Sequence, residues 1–224
     1  MSTSQTLDRG LAVLESIAWA TEPPTIDELA TEHGVHRSIA YRIVRTLEAR
    51  HFVRRDASGR CHAGFRLASL ARSVRAPLLT AAVPVLTSLA NELAMTSFLV
   101  VRDGDDAVTI ESVEPQASAV HLAYRPGIRH PVGLGAPGLA LLAGGPAIDG
   151  ERHDVAVARR RGWAVSAGEV IAGLASVAAP IDGGSGVAAG AVAVVHLAAA
   201  DVDVEAVGSR VAAAACSITE MTSQ

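Results

Sequence analysis

From Thr6 to Trp19 apolar residues recur at helical spacing, as Leu7, Leu11, Leu14 and Ala18. The run stops at Glu22-Pro23-Pro24, because a residue before proline is driven out of the α region. A second helix starts at Thr25. There Thr25-Ile26-Asp27-Glu28 has the spacing of a capping box, with a hydroxyl at the cap and a carboxylate three residues on, each able to reach an unpaired backbone N–H. It runs to about His33, Gly34 supplies a turn, and a third helix spans about Arg37 to Arg50, buried through Ile39 or Ala40, then Ile43, Val44 and Leu47. Phe52-Val53-Arg54-Arg55 and Arg60-Cys61-His62 read as short strands joined by the tip Asp56-Ala57-Ser58-Gly59. Gly64 to Val74 is helical again, and Pro77 and Pro84 interrupt the pattern before a helix from Val85 to Leu93.

Further on the period changes. Ser97 to Val101 and Ala107 to Val113 read as strands flanking the turn Arg102-Asp103-Gly104-Asp105-Asp106, and Ala119 to Tyr124 as a third strand. Gly133 to Ala143 and Val155 to Arg161 are helical, the latter ending at Gly162. The apolar runs Ala175 to Ile181 and Val187 to Leu197 enclose Asp182-Gly183-Gly184-Ser185-Gly186, a hairpin signal, and Val202 to about Met221 forms a last amphipathic helix. Strands and helices mix without strict alternation, which predicts an α+β fold with an antiparallel sheet. The boundary falls near Arg75 to Thr80, giving one domain over residues 1–75 and a second over 76–224.

Composition changes this picture little. Half of the 224 residues are apolar but only 3% are aromatic, so the cores rest on Ala, Val, Leu and Ile. No run approaches the roughly 18 apolar residues of a membrane span, and Asp8 precedes any apolar stretch, so a cytoplasmic protein is expected. Cys61 and Cys216 are too few and too far apart for a disulfide framework or a zinc site.

Charge changes it more. The net charge is −4, yet from Gly34 to Arg75 ten arginines face only Glu48 and Asp56, while the acids gather beyond Arg75. Small Ala30, Gly34 four residues later, and apolar Leu29, Val35 and Ile43 are what a helix-turn-helix requires. The basic third helix followed at once by a basic hairpin points to double-stranded DNA. In that geometry the N-terminal residues of the second helix of the motif face base edges, which nominates Arg37, Ser38, Tyr41 and Arg42. Arg37 or Arg42 can pair with guanine, Arg45 with a phosphate, and Arg54, Arg55 and Arg60 on the hairpin with backbone phosphate or a minor groove. His36 fits a cap or a surface position better than a base reader.

An enzyme fits poorly. The eight histidines show no metal-ligand spacing, neither cysteine has a motif partner, and no phosphate-cradling glycine pattern follows a strand. Gly183-Gly184-Ser185-Gly186 invites a hydrolase reading, but a nucleophile elbow leads into a helix and here a strand follows. No catalytic residue, cofactor or metal is expected.

The residues carry a resemblance as well. Leu7-Asp8-Arg9-Gly10-Leu11-Ala12-Val13-Leu14, Thr25 to Ala30, Gly34 to Arg42 with Leu47-Glu48, and Asp56 to Arg60 make the stretch similar to the IclR family of bacterial transcriptional regulators. The likeness continues through Gly127 to Pro131, Arg161 to Val165 and Gly173 to Ile181, so it covers essentially the whole chain. It implies a winged helix-turn-helix with the start of a linker helix, then an effector-binding and oligomerisation domain related to GAF and PAS sensors. It also implies homodimers or homotetramers on pseudo-palindromic operators of catabolic or efflux genes.

Three departures stand out. Ile39, which joins the DNA-facing candidates, replaces a threonine usual in the family's recognition helix, so one polar contact is either missing or replaced by an apolar touch on a thymine methyl. The chain is short between Ala143 and Arg159. The effector positions that several members fill with a His, an acid, a Cys and two serines read here as Gly133, Ser166, Ser176, Ala191 and Ala193. Such a donor-poor pocket, with Ser176 and backbone N–H groups near Ala136 as anchors, suits an apolar or aromatic effector, or has lost ligand binding altogether.

Overall fold

The computed structural model describes residues 4–71, 76–117 and 124–223. The chain divides into two compact units, Met1–Ala76 and Pro77–Gln224.

The first unit carries α1 (Gln5–Trp19), α2 (Ile26–Glu32), α3 (Arg37–Ala49), β1 (Val53–Arg55), β2 (Cys61–Ala63) and α4 (Arg66–Ala71). Its core is built from Val13 and Ile17 of α1, Leu29 and Ala30 of α2, Ala40 and Val44 of α3, and Val53 and Cys61 of the hairpin. Full burial of a Leu or Val side chain contributes roughly 1.5–3 kcal/mol, so these few contacts fix how the three helices cross. Both halves of the capping box at Thr25 form, which is worth about 1 kcal/mol to a helix of only seven residues. The alternative at the start of α3 resolves to Ala40, fully buried, whereas Ile39 is exposed.

The face expected of α1 is corrected in part: of its four residues, Leu14 packs against the core and the other three do not. Leu7 and Leu11 are 62% and 51% exposed, Ala18 is exposed, and the buried stripe runs through Val13 and Ile17. Helical periodicity allows both stripes, and the packing of α1 against α3 and β2 chooses between them.

The second unit comprises α5 (Ala76–Leu93), β3 (Thr96–Asp103), β4 (Asp106–Val113), β5 (Arg129–Pro131), α6 (Gly135–Ala143), α7 (His153–Arg161), β6 (Ala164–Ala167), β7 (Leu174–Asp182), β8 (Ala188–Leu197) and α8 (Val204–Thr222). Six antiparallel strands pair in the order β5-β4-β3-β8-β7-β6. Leu99, Val101, Val177, Ile181, Val192 and Val194 turn to one face, under α5 and α8. Phe98, Val100, Ala178, Ala191, Ala193 and Val195 turn to the other, under α6 and α7. The strict alternation along β3 and β8 follows from the two-residue period of a strand.

Three expectations change here. Pro84 does not break a helix: α5 runs unbroken across it, because Leu78, Ala81, Ala82, Leu86, Leu89 and Ala90 bury one continuous stripe while Pro84 faces solvent. The strand expected from Ala119 to Tyr124 lies outside the described residues except for Tyr124, which is not in a strand. The short edge strands β5 and β6 were not expected, since three or four residues carry too little alternation to register.

Candidate nucleic-acid interface and ligand pocket

In the first unit the turn between α2 and α3 is closed by the Val35 N–H donating to Ala30 O at 3.0 Å, with Gly34 at φ +59. That left-handed conformation favours glycine and allows the sharp reversal. His36 is the N-cap of α3, its Nδ1 accepting from the Ser38 N–H at 3.3 Å and lying 2.9 Å from Ser38 Oγ. With Ala40 and Val44 inside, Ser38, Tyr41, Arg42 and Arg45 fall at i, i+3, i+4 and i+7 on one exposed face, and Ile39 is exposed next to them.

The nominated cations divide into two groups. Arg37 Nε pairs with Asp27 Oδ1 at 2.5 Å on the open surface, where such pairs are weak and readily exchanged. Arg55 is held by Glu48 through Nε at 2.8 Å and Nη2 at 2.9 Å, and its guanidinium lies 5.9 Å from the centroid of the Tyr41 ring. Arg60 donates to the Pro23 carbonyl at 2.7 Å. Among the described residues Arg42, Arg45 and Arg54 have no ion-pair partner, and all three are exposed. Arg54 points away from the core because strand alternation buries its neighbour Val53.

The hairpin tip is shaped by Asp56, whose Oδ1 accepts from the N–H and hydroxyl of Ser58 at 2.9 and 2.6 Å and from the Arg60 N–H at 3.1 Å. Asp56 Oδ2 lies 2.8 Å from His62 Nε2. These bonds, that to His62 foremost, hold the Asp56 carboxyl far below the usual carboxylate range. The partner that Glu48 finds on the hairpin carries no local sequence signal, whereas Asp56 and Ser58 stand at the spacing of an Asx-turn.

In the second unit the expected pocket positions separate. Ser166 and Ser176 face each other across β6 and β7, Oγ to Oγ at 3.2 Å, and both line a small cavity with Tyr124, Pro137, Glu169 and Val195. Its free volume is about 20 Å³, room for about one water molecule. The Ala136 N–H, expected as a free anchor, already donates to Ser166 Oγ at 2.7 Å. Gly133 lies on a different, apolar groove of about 270 Å³ with Leu141, Leu142 and Ile148, and its carbonyl accepts from Arg152 at 2.8 Å. Ala191 and Ala193 are fully buried in the core under α6. Their small side chains let α6 lie close to the sheet, and Gly138 leaves room for the Val132 carbonyl, whose oxygen would lie 2.3 Å from an added Cβ.

The pocket is also less stripped of polar groups than expected. The Gly135 N–H donates to Glu169 Oε2 at 2.7 Å, and Arg152 Nη2 donates to Glu169 Oε1 at 2.8 Å. Arg152 is the main reason why the Glu169 carboxyl lies below its usual range. Glu169 sits 34 residues from the amide it meets, a separation that no local pattern reveals. Among the described residues no cluster of three His, Cys, Asp or Glu is placed to hold a metal, and no helix is long and apolar enough to cross a membrane.

Residues 6–57, the span of α1 through the hairpin tip, match the model of the IclR helix-turn-helix domain. Over 53% of this chain and 48% of its own length, the HTH-type transcriptional regulator KipR of Bacillus subtilis is 31% identical, so the match spans about half of that relative. The glycerol operon regulatory protein of Streptomyces griseus is 27% identical over 85% of this chain and 84% of its own. The helix-turn-helix of this chain is thus of the IclR type, and the chain is similar to these transcriptional regulators. Solved structures agree on the fold of this chain over nearly its whole length. The IclR regulator of Alicyclobacillus acidocaldarius has a TM-score of 0.75 at 24% identity, covering 99% of this chain and 100% of its own. An IclR homolog of Microbacterium hydrocarbonoxydans, complexed with 4-hydroxybenzoate, has a TM-score of 0.77 at 24% identity, covering 98% and 99%.

Proposed function

We propose that this chain is an IclR-family regulator that binds a pseudo-palindromic operator as a homo-oligomer and adjusts its hold on DNA in response to a small-molecule effector, without catalysing a reaction. The reading rests above all on one arrangement: Ser38, Tyr41, Arg42 and Arg45 form a single exposed stripe on α3, beside the unpaired Arg54 of the wing. In a winged helix that stripe enters the major groove, where Arg42 reads a base and Arg45 and Arg54 neutralise phosphates. Arg37 joins the readers by exchanging its exposed partner Asp27 for DNA. Arg55 and Arg60 act at first through the wing they brace. The exposed Leu7 and Leu11 of α1 support pairing of two copies, as half-sites one helical turn apart require.

The named relatives support the gene class. One is a glycerol operon regulator, and the neighbour with 4-hydroxybenzoate binds a small aromatic acid, so a catabolic operon and a small organic effector are the reading for this chain too. The cavity beside Ser166 and Ser176 is the place for that effector. Its volume of about 20 Å³ favours one competing reading, a regulator whose pocket no longer takes a ligand.

Binding to the promoter fragment beside the chain's own gene, measured by fluorescence anisotropy against scrambled duplex, tests the first reading. Operator-selective binding that weakens steeply with salt is expected. Indifference to duplex DNA even in dilute buffer overturns it. A change in that affinity on adding small carboxylic and aromatic acids separates a sensor from a regulator with a degenerate pocket.

A further inference from the structure

At the head of α6 the chain presents a carboxylate to its own backbone. A helix N-terminus favours an anion, because its first N–H groups have no partner within the helix. Here the Gly135 N–H is taken by Glu169 Oε2, the Ala136 N–H by Ser166 Oγ, and Arg152 holds the far oxygen of Glu169. Gly135 has φ +73, and an added Cβ would lie 2.7 Å from Val170 Cγ2, so the segment after β6 is packed onto the head of the helix.

A second, independent observation concerns His130. Its Nδ1 lies 3.1 Å from the Pro131 carbonyl, whereas its buried Nε2 has no hydrogen-bond partner among the described residues. The ring stands against Gly135, Cε1 being 3.4 Å from where a Cβ on that residue would sit. The residue is 6% exposed. A buried polar atom left without a partner is costly, and it marks a place where a polar group is still to be supplied.

We propose that Glu169 is a built-in occupant of an anion site at the head of α6, so that an exogenous carboxylate binds only by displacing this side chain from Gly135 and Arg152. The proposal deepens the effector reading above and rests on it for its regulatory meaning, though not for the occupancy itself. It accounts for the small cavity: the space that a ligand's acid group needs is filled by the protein's own. Gly168 and Gly173, at φ +71 and +81, bound the segment that carries Glu169 and supply the conformational freedom for it to withdraw. Being tethered, Glu169 competes at a high effective concentration, which sets a threshold for the external acid.

The probe is propionate, which has the atoms of the glutamate side chain beyond Cα. In thermal unfolding, Glu169→Ala with sodium propionate should show a saturable rise in Tm of about 3 °C or more over sodium chloride of equal ionic strength. Propionamide should do nothing, and the wild-type chain should not respond to propionate over the same range. Glu169→Gln keeps the length of the side chain but loses the charge that Arg152 holds, and should show a weaker form of the same response. Equal responses in wild type and variants, or silence in both variants, overturn the proposal. The two readings fail separately. If Glu169→Ala takes propionate while DNA affinity stays indifferent to every acid tried, the internal occupant stands and the effector role falls. If wild-type DNA affinity responds to an acid but propionate does not distinguish the variants, the reverse holds.

Discussion

Arg55 of β1 donates two hydrogen bonds to Glu48 of α3, at 2.8 and 2.9 Å, so the wing is bolted to the recognition helix by a side-chain fork. The bonds to Glu48 also raise the affinity of the guanidinium for its proton. Its neighbour Arg54 faces the other way and has no such partner among the described residues. Two adjacent arginines therefore do different work.

Their substitutions should separate accordingly. Arg55→Ala is expected to lower stability by about 1 kcal/mol, a bidentate but partly solvated pair being lost, and to weaken DNA binding through a loosened wing. Arg54→Ala should leave unfolding unchanged, weaken binding evenly across sequences and reduce the salt slope by about one unit. Urea titration and anisotropy at several salt concentrations check both.

Arg42→Ala should remove discrimination rather than adhesion. A lost bidentate base contact corresponds to about 1–3 kcal/mol, so operator affinity should fall at least about tenfold while binding to scrambled duplex changes little. Unchanged gel shifts on the operator would remove Arg42 from the base-reading set.

The wing tip should be sensitive to acid. Because the folded-state value of Asp56 is depressed, its contribution is fully present above the ordinary carboxylate value of about 3.9 and is lost as the pH falls through the lower folded-state value. Amide protection at Ser58 and Arg60, whose N–H groups donate to Asp56, should therefore decline below about pH 4. In Asp56→Asn the Ser58 and Arg60 amides should be less protected at neutral pH and lose that acid step.

Gly208 of α8 offers a test of packing. An added Cβ would lie 2.2 Å from the ring of Trp163, over which the Arg161 guanidinium also stands, 3.5 Å from the ring centroid. The ring is buried and has little room to yield, so Gly208→Val should cost about 1–3 kcal/mol and alter the near-ultraviolet circular dichroism of Trp163. A variant as stable as the parent would show that α8 shifts to make room.

The sequence alone determined the helix-turn-helix, the wing, the central hairpin of β7 and β8, and the patch of positive charge on α3, because each is written in neighbouring residues. Capping boxes, turn glycines and periods of 3.6 and 2 act over a few positions, and Thr25, Gly34 and Asp182-Gly183-Gly184 announce themselves. Tertiary structure decided which of two stripes on α1 is buried, that α5 runs through Pro84, and that Arg55 answers to Glu48. It also decided that Ala191 and Ala193 serve the approach of α6 to the sheet, while Glu169 reaches Gly135. Those outcomes depend on contacts between residues far apart in the chain, where burial area and the geometry of close packing choose among arrangements that local preference leaves equal.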